Sequence, residues 1–143
     1  MKKSLRKLIS LFMALCLMST AVAAADLYEQ SGNEIMPRYT YIQSIATGLG
    51  ISTSGKASCY TSITLYNYTH SCKVNMVLQR NDGTGWDDVR SWTLTDDGVN
   101  IDIIGEWYVA PGYDYQVEST MYVYNANGRL IETTTTYSPI KYY

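Results

Sequence analysis

Val99-Asn100-Ile101-Asp102-Ile103-Ile104-Gly105-Glu106-Trp107-Tyr108-Val109 leads through Ala110-Pro111-Gly112 into Tyr113-Asp114-Tyr115-Gln116-Val117. In the first segment Val99, Ile101, Ile103, Trp107 and Val109 fall on one parity, and Asn100, Asp102, Glu106 and Tyr108 on the other. A period of two marks a strand with one buried face, whereas a helix repeats every ~3.6 residues. The odd positions are expected in a core, because burying each large side chain is worth roughly 1.5–3 kcal/mol. Pro111-Gly112 turns the chain into the next strand. Tyr115 there shares the parity of Val117 and points inward. A buried phenol needs a partner, so its hydroxyl is expected to bond back to the backbone upstream as a tyrosine corner.

The same alternation recurs in both directions from this point. Strands are predicted over residues 39–52 (broken at Gly48–Gly50), 56–66, 72–80, 86–94, 99–109, 114–125 and 129–138. Ser54-Gly55, Asn81-Asp82-Gly83, Asp96-Asp97-Gly98, Pro111-Gly112 and Asn127-Gly128 separate them with turn chemistry. Ala57, Cys59, Ile63 and Leu65 oppose Ser58, Tyr60, Ser62 and Thr64; Val74, Met76 and Leu78 oppose Lys73, Asn75 and Gln79. Val89 and Trp92 cannot both point inward without a bulge. Seven short strands in about 100 residues predict an all-β, seven-stranded immunoglobulin-like antiparallel β-sandwich.

The final hairpin sets the register of the last two strands. A three-residue loop at Ala126-Asn127-Gly128, with Gly128 left-handed, places Asn125 opposite Arg129. It also sets Val123 opposite Ile131, Met121 opposite Thr133 and Val117 opposite Tyr137. A two-residue loop would set Val123 against Glu132 and Met121 against Thr134, which mixes the faces. The three-residue loop is therefore expected, with Glu118, Thr120, Tyr122, Tyr124, Leu130, Glu132, Thr134 and Thr136 on the outside.

The chain has 143 residues, 46% apolar and 13% aromatic, too apolar and aromatic for a disordered polymer. Met1–Lys7 carries four of its eleven basic residues, Leu8–Met18 is apolar apart from Ser10, and Ser19–Ala25 turns small. That order predicts a secretory signal peptide over 1–25, cleaved after Ala23 or Ala25. Its apolar core falls short of the ~20 residues that span a bilayer. Cys16 follows Leu15 rather than the small residue that a lipoprotein site wants, so no stable membrane anchor is expected. Residues 26–37 read as a flexible acidic lead-in, and 38–143 as the sandwich domain. With seven basic and thirteen acidic residues after position 25, the exported chain is about six charges negative. That charge argues against nucleic acid as a partner. Ser138-Pro139-Ile140-Lys141-Tyr142-Tyr143 offers neither a hydrophobic tail nor a basic stop. A secreted, extracellular domain is expected.

Several landmarks together carry a family resemblance. They are Met36-Pro37-Arg38-Tyr39-Thr40-Tyr41-Ile42, Gly55-Lys56-Ala57-Ser58-Cys59, Met76-Val77-Leu78-Gln79-Arg80, Gly85-Trp86, Ser91-Trp92, Gly112–Val117 and Tyr124–Gly128 with Glu132. In these the chain resembles a family of small exported proteins from Gram-positive bacteria, a domain of unknown function with a predicted immunoglobulin-like sandwich. The resemblance implies the fold and the secretion route. It supplies no catalytic residues.

Chemistry-bearing residues are sparse. Cys59 and Cys72 are the cysteines after position 25, and an even count in an exported protein suggests a disulfide. Straight antiparallel strands oppose it: they hold the two roughly 20 Å apart, against a Cα limit of about 7 Å. Two separate thiols are the alternative, with Cys59 packed as a small hydrophobe. His70 has no neighbouring acid to orient it, so it reads as a solvated loop residue rather than a base. Asn81–Asp88 and Asp96-Asp97-Gly98 concentrate oxygens, but without a complete calcium loop they read as turns. Lys56 and Lys73 alternate outward, away from any buried amide cross-link. No enzyme, metal or cofactor is expected. The functional lead is aromatic. Tyr122 and Tyr124 stand two apart with Leu130 beside them, a surface suited to an extracellular protein or to self-association. Trp86 and Trp92 with neighbouring tyrosines suggest instead a small carbohydrate- or cell-wall-binding module.

Overall fold

A computed structural model describes residues 39–143. The signal peptide and lead-in expected before Arg38 lie outside the described residues. The described chain is all-β, with β1 Ile42–Ile51, β2 Lys56–Leu65, β3 Ser71–Asn81, β4 Trp86–Asp96, β5 Asn100–Tyr108, β6 Asp114–Tyr124, β7 Leu130–Tyr137 and β8 Lys141–Tyr142. Two antiparallel sheets form, β1-β2-β5 and β4-β3-β6-β7, with β8 also on β6. Their inner faces share one core of Ile42, Leu49, Ala57, Ile63, Leu65, Val74, Met76, Leu78, Ile101, Ile103, Tyr115, Val117, Met121 and Val123. The inward sets expected on β2, β3 and β5 are buried there, with three exceptions on and beside β5. Val99 and Val109 are half-buried, and Trp107 remains 42% exposed.

Each departure from expectation has a local cause. β1 runs unbroken through Gly48 and Gly50, because the ring of Tyr60, the cross-strand partner of Gly48, lies over the bare glycine backbone. In β4 both Val89 and Trp92 reach the core, and a bulge makes this possible: Leu78 pairs with Arg90 but Gln79 with Asp88, so Val89 is extra. Seven expected strands become eight, because Pro139 has no N–H to donate and interrupts the last one. After it the chain returns to the same edge of β6, where Asp114 pairs with Tyr142 and Tyr143 N donates to Tyr113 O at 3.0 Å.

The last hairpin corrects the expected register. The three-residue loop is present: Asn125 N donates to Arg129 O at 2.9 Å, and Gly128 sits at φ +74°. One pair further on, Tyr124 faces Leu130 while Val123 faces Glu132, so Ile131 is a bulge. Met121 then meets Thr134, and Glu118 meets Tyr137. Beyond the bulge every β7 side chain changes face. Glu132, Thr134 and Thr136 lie on the inner side, whereas Thr133, Thr135 and Tyr137 are exposed. The cause is at the seam with the chain before β1. Glu132 accepts Thr40 N at 3.0 Å and Tyr41 N at 2.8 Å, and Thr136 shares a 2.8 Å hydrogen bond with Thr47. Charge-assisted bonds to otherwise unpaired edge amides outweigh the tidier apolar pairing.

The opposite seam, between β4 and β5, is aromatic. Trp92 seats its indole over Gly105, and the Arg90 guanidinium lies 4.6 Å above the ring of Trp107. Trp107 thus has inward parity but closes the rim under Arg90 rather than filling the core. At one end of the sandwich the Tyr115 hydroxyl donates to Ala110 O at 2.7 Å, forming the expected tyrosine corner. A row of hydroxyls crosses the interior as well: Ser119 and Thr61 share a 2.6 Å bond, and Thr61 lies 3.3 Å from Thr47.

Cys59 and Cys72 are free and fully buried, so the suggested bridge is corrected to two separate thiols. Their strands explain this. Cys59 lies mid-β2 opposite Leu49 and Gly105 in one sheet, while Cys72 opens β3 opposite Asp96 and Val123 in the other. Burial pushes the Cys59 thiol up to about 12 and that of Cys72 to about 11. Only about one part in a thousand or less is then thiolate at pH 8, and the thiolate is the reactive species. For the chain from position 26 onward, which lacks Cys16, iodoacetamide at pH 8 is expected to leave the folded protein unmodified and to add two groups in denaturant without reductant. A reductant requirement in the mass spectrum would instead reveal a disulfide.

Candidate functional site

The outer face of the five-stranded sheet gathers most of the residues expected to bind. On β3, Lys73, Asn75, Val77 and Gln79 alternate outward, and β6 sets Tyr122, Thr120, Glu118 and Gln116 opposite them in that order. At one end Tyr122 and Tyr124 line a shallow groove of about 210 Å³ with Lys73, Asn75 and Thr93. Thr93 donates to Asn75 Oδ1 at 3.0 Å, which holds that amide in the groove floor. Tyr122 stands between its partners Lys73 and Thr133, and Leu130, 47% exposed, pairs with Tyr124. Tyr122, Tyr124 and Leu130 are therefore together, as expected, with a cation beside them.

Trp86 occupies the other end. It lines a second groove of about 380 Å³ with Gln79, Gln116, Glu118 and Tyr137. Between the two ends Thr120 and Thr135 share a 2.9 Å hydrogen bond across β6 and β7. Trp92 is corrected out of the site. The Val89 bulge gives it the parity of Met76, its partner, and its ring goes to Gly105 in the opposite sheet. It is a packing residue.

Gln79, Gln116 and Tyr137 were not singled out by the sequence. The period-two pattern already placed Gln79 outside, and Gln116 shares the parity of Glu118. Tyr137, however, is expected inside until the Ile131 bulge turns its strand over.

The remaining sequence candidates lie elsewhere. His70 is half-buried with its ring edge-on to Tyr41, centroids 5.2 Å apart, and no acid among the described residues pairs with it. In the acidic turns, Asn81 Oδ1 accepts Gly83 N at 2.7 Å, Asp82 Oδ1 accepts Thr84 N and Oγ1, and Asp96 Oδ1 accepts Gly98 N. Those bonds draw the Asp82 carboxyl below the usual carboxylate range and account for the residues as turn formers. Among the described residues no three His, Cys, Asp or Glu side chains cluster to hold a metal. Lys56 faces solvent and pairs with Glu106 at 2.6 Å. No protein-family model matches this chain, and comparison with curated proteins finds no relative.

Proposed function

We propose that this chain is an exported, non-catalytic binding domain that engages an extracellular protein or glycan through the outer face of its five-stranded sheet. Its build is immunoglobulin-like. Support comes from the order β1-β2-β5 against β4-β3-β6-β7, whose connections cross between sheets, and from the Tyr115–Ala110 corner. Export is supported by the basic, apolar, then small-residue order of positions 1–25 and by the likeness to small exported Gram-positive proteins.

One observation carries the reading: Tyr122 and Tyr124 share an open groove with Lys73, Asn75 and Thr93 instead of lying against another part of the fold. Rigid aromatics beside fixed polar groups lose little entropy on contact, which is why tyrosine is enriched at interfaces. The test is capture of intact cells and wall fragments by the full chain. A Tyr122→Ala/Tyr124→Ala variant with an unchanged unfolding midpoint is expected to bind about tenfold more weakly or worse. Equal binding by that variant removes the assignment. Self-association through the same face is a variant of this reading, visible as dimers or larger species in light scattering. The second reading, a small carbohydrate- or wall-binding module, is favoured by Trp86 standing in a groove of its own.

A further inference from the structure

The groove at Trp86 contains a constructed polar floor. Gln79 and Gln116 project to the solvent side of the sheet, yet only 9% and 8% of their surfaces are exposed. Gln79 Nε2 donates to Asp88 Oδ1 at 3.0 Å and to Glu118 Oε2 at 3.2 Å, and its carbonyl accepts Gln116 Nε2 at 2.9 Å. These bonds occupy both protons of the Gln79 amide and fix two long side chains that would otherwise rotate freely on an outer face. Gln116 keeps one N–H and its carbonyl without a protein partner among the described residues, and Glu118 keeps unused lone pairs. Trp86 and Tyr137 stand on β4 and β7, on either side of this floor. Three strand spacings separate those strands, roughly 14 Å.

We infer that this groove is a saccharide site and that its ligand is a neutral glycan. The inference deepens the carbohydrate reading above and rests on it. A pyranose ring has apolar C–H faces and an equator of hydroxyls, each both donor and acceptor. Trp86 and Tyr137 supply surfaces for the faces. The spare Gln116 amide groups and the Glu118 carboxylate supply partners for the hydroxyls, already oriented before binding, so little ordering cost remains. Charge narrows the class. Asp88 and Glu118 are both in the floor network and no cation among the described residues lines the groove, so uronates and phosphate-bearing polymers are repelled. A groove of this kind suits a short oligosaccharide better than a flat protein epitope, because its polar groups sit between the aromatics rather than around them.

Isothermal titration of the full chain with cellohexaose, with the N-acetylglucosamine hexamer and with polygalacturonate tests this. At least one neutral hexamer is expected to bind and polygalacturonate is not. Trp86→Ala and Gln116→Ala are each expected to weaken binding about tenfold or more, and Trp86→Phe to recover most of it. Each variant is first matched to the parent by circular dichroism. Absence of binding by both hexamers at millimolar concentration overturns the inference. So does hexamer binding that survives Trp86→Ala, equal binding of polygalacturonate, or capture of a protein at this groove without sugar binding. If cells are still bound through Tyr122 and Tyr124 while no hexamer binds, the broader binding role stands and this site alone falls.

Discussion

A Gly105→Ala variant is expected to unfold at a lower denaturant concentration than the parent chain, with a loss of about 2 kcal/mol and a midpoint temperature roughly 10 °C lower. Gly105 is buried in β5 facing β4, and a methyl group built there falls within the indole of Trp92. Two effects oppose each other. Alanine in a strand interior is better than glycine by ~0.5–1 kcal/mol through reduced chain entropy. Overpacking a filled core costs ~1–3 kcal/mol, and here the neighbour that must give is a rigid bicyclic ring held between two sheets. The steric term wins. Adding Trp92→Leu to Gly105→Ala is expected to return part of the loss, which identifies the clash as the cause. An unchanged midpoint for the single variant would show that the indole is not seated on Gly105.

Thr61→Val is expected to destabilise the fold by about 1–3 kcal/mol, although the side chain keeps its shape. Thr61 and Ser119 are 1% and 0% exposed and share a 2.6 Å hydrogen bond across the space between β2 and β6, with Thr61 also 3.3 Å from Thr47. Valine leaves the Ser119 hydroxyl in the core with no partner, and that desolvation cost is larger than the net worth of the bond itself. The double variant Thr61→Val/Ser119→Ala removes both polar groups. It is expected to be more stable than Thr61→Val alone, in urea denaturation at equal ionic strength. Losses that simply add would mean that the two hydroxyls do not depend on each other. Thr47 is insulated from the change by its own bond to Thr136.

These two tests also separate what alternation could reveal from what it could not. The positions of Gly105 and Thr61 on inward parity follow from counting by twos. Their partners, Trp92 and Ser119, belong to the other sheet, and no local pattern specifies which residues of two facing layers meet. The tyrosine corner was legible because it is local: hydroxyl and carbonyl lie five residues apart. The Val89 bulge was legible as a condition, since two apolar residues of opposite parity in one strand demand it. The Ile131 bulge was not. Its cause is the Glu132 carboxylate reaching the amides of Thr40 and Tyr41, about ninety residues away in the chain. The consequence reached the outer face of the sheet, where Tyr137 replaced Thr134 and Thr136 and completed a groove around Trp86.

Strand positions, turn types and inward sets of β2 and β3 were determined by the amino-acid order alone, because side-chain parity and left-handed glycines act over a few residues. Tertiary contacts decided which strands border each other, where the register slips, and that Trp92 packs toward the opposite sheet while Trp86 lines a groove on the outer face. Those outcomes depend on bonds closed between distant segments. Their energies, a few kcal/mol each, exceed the differences between competing local pairings.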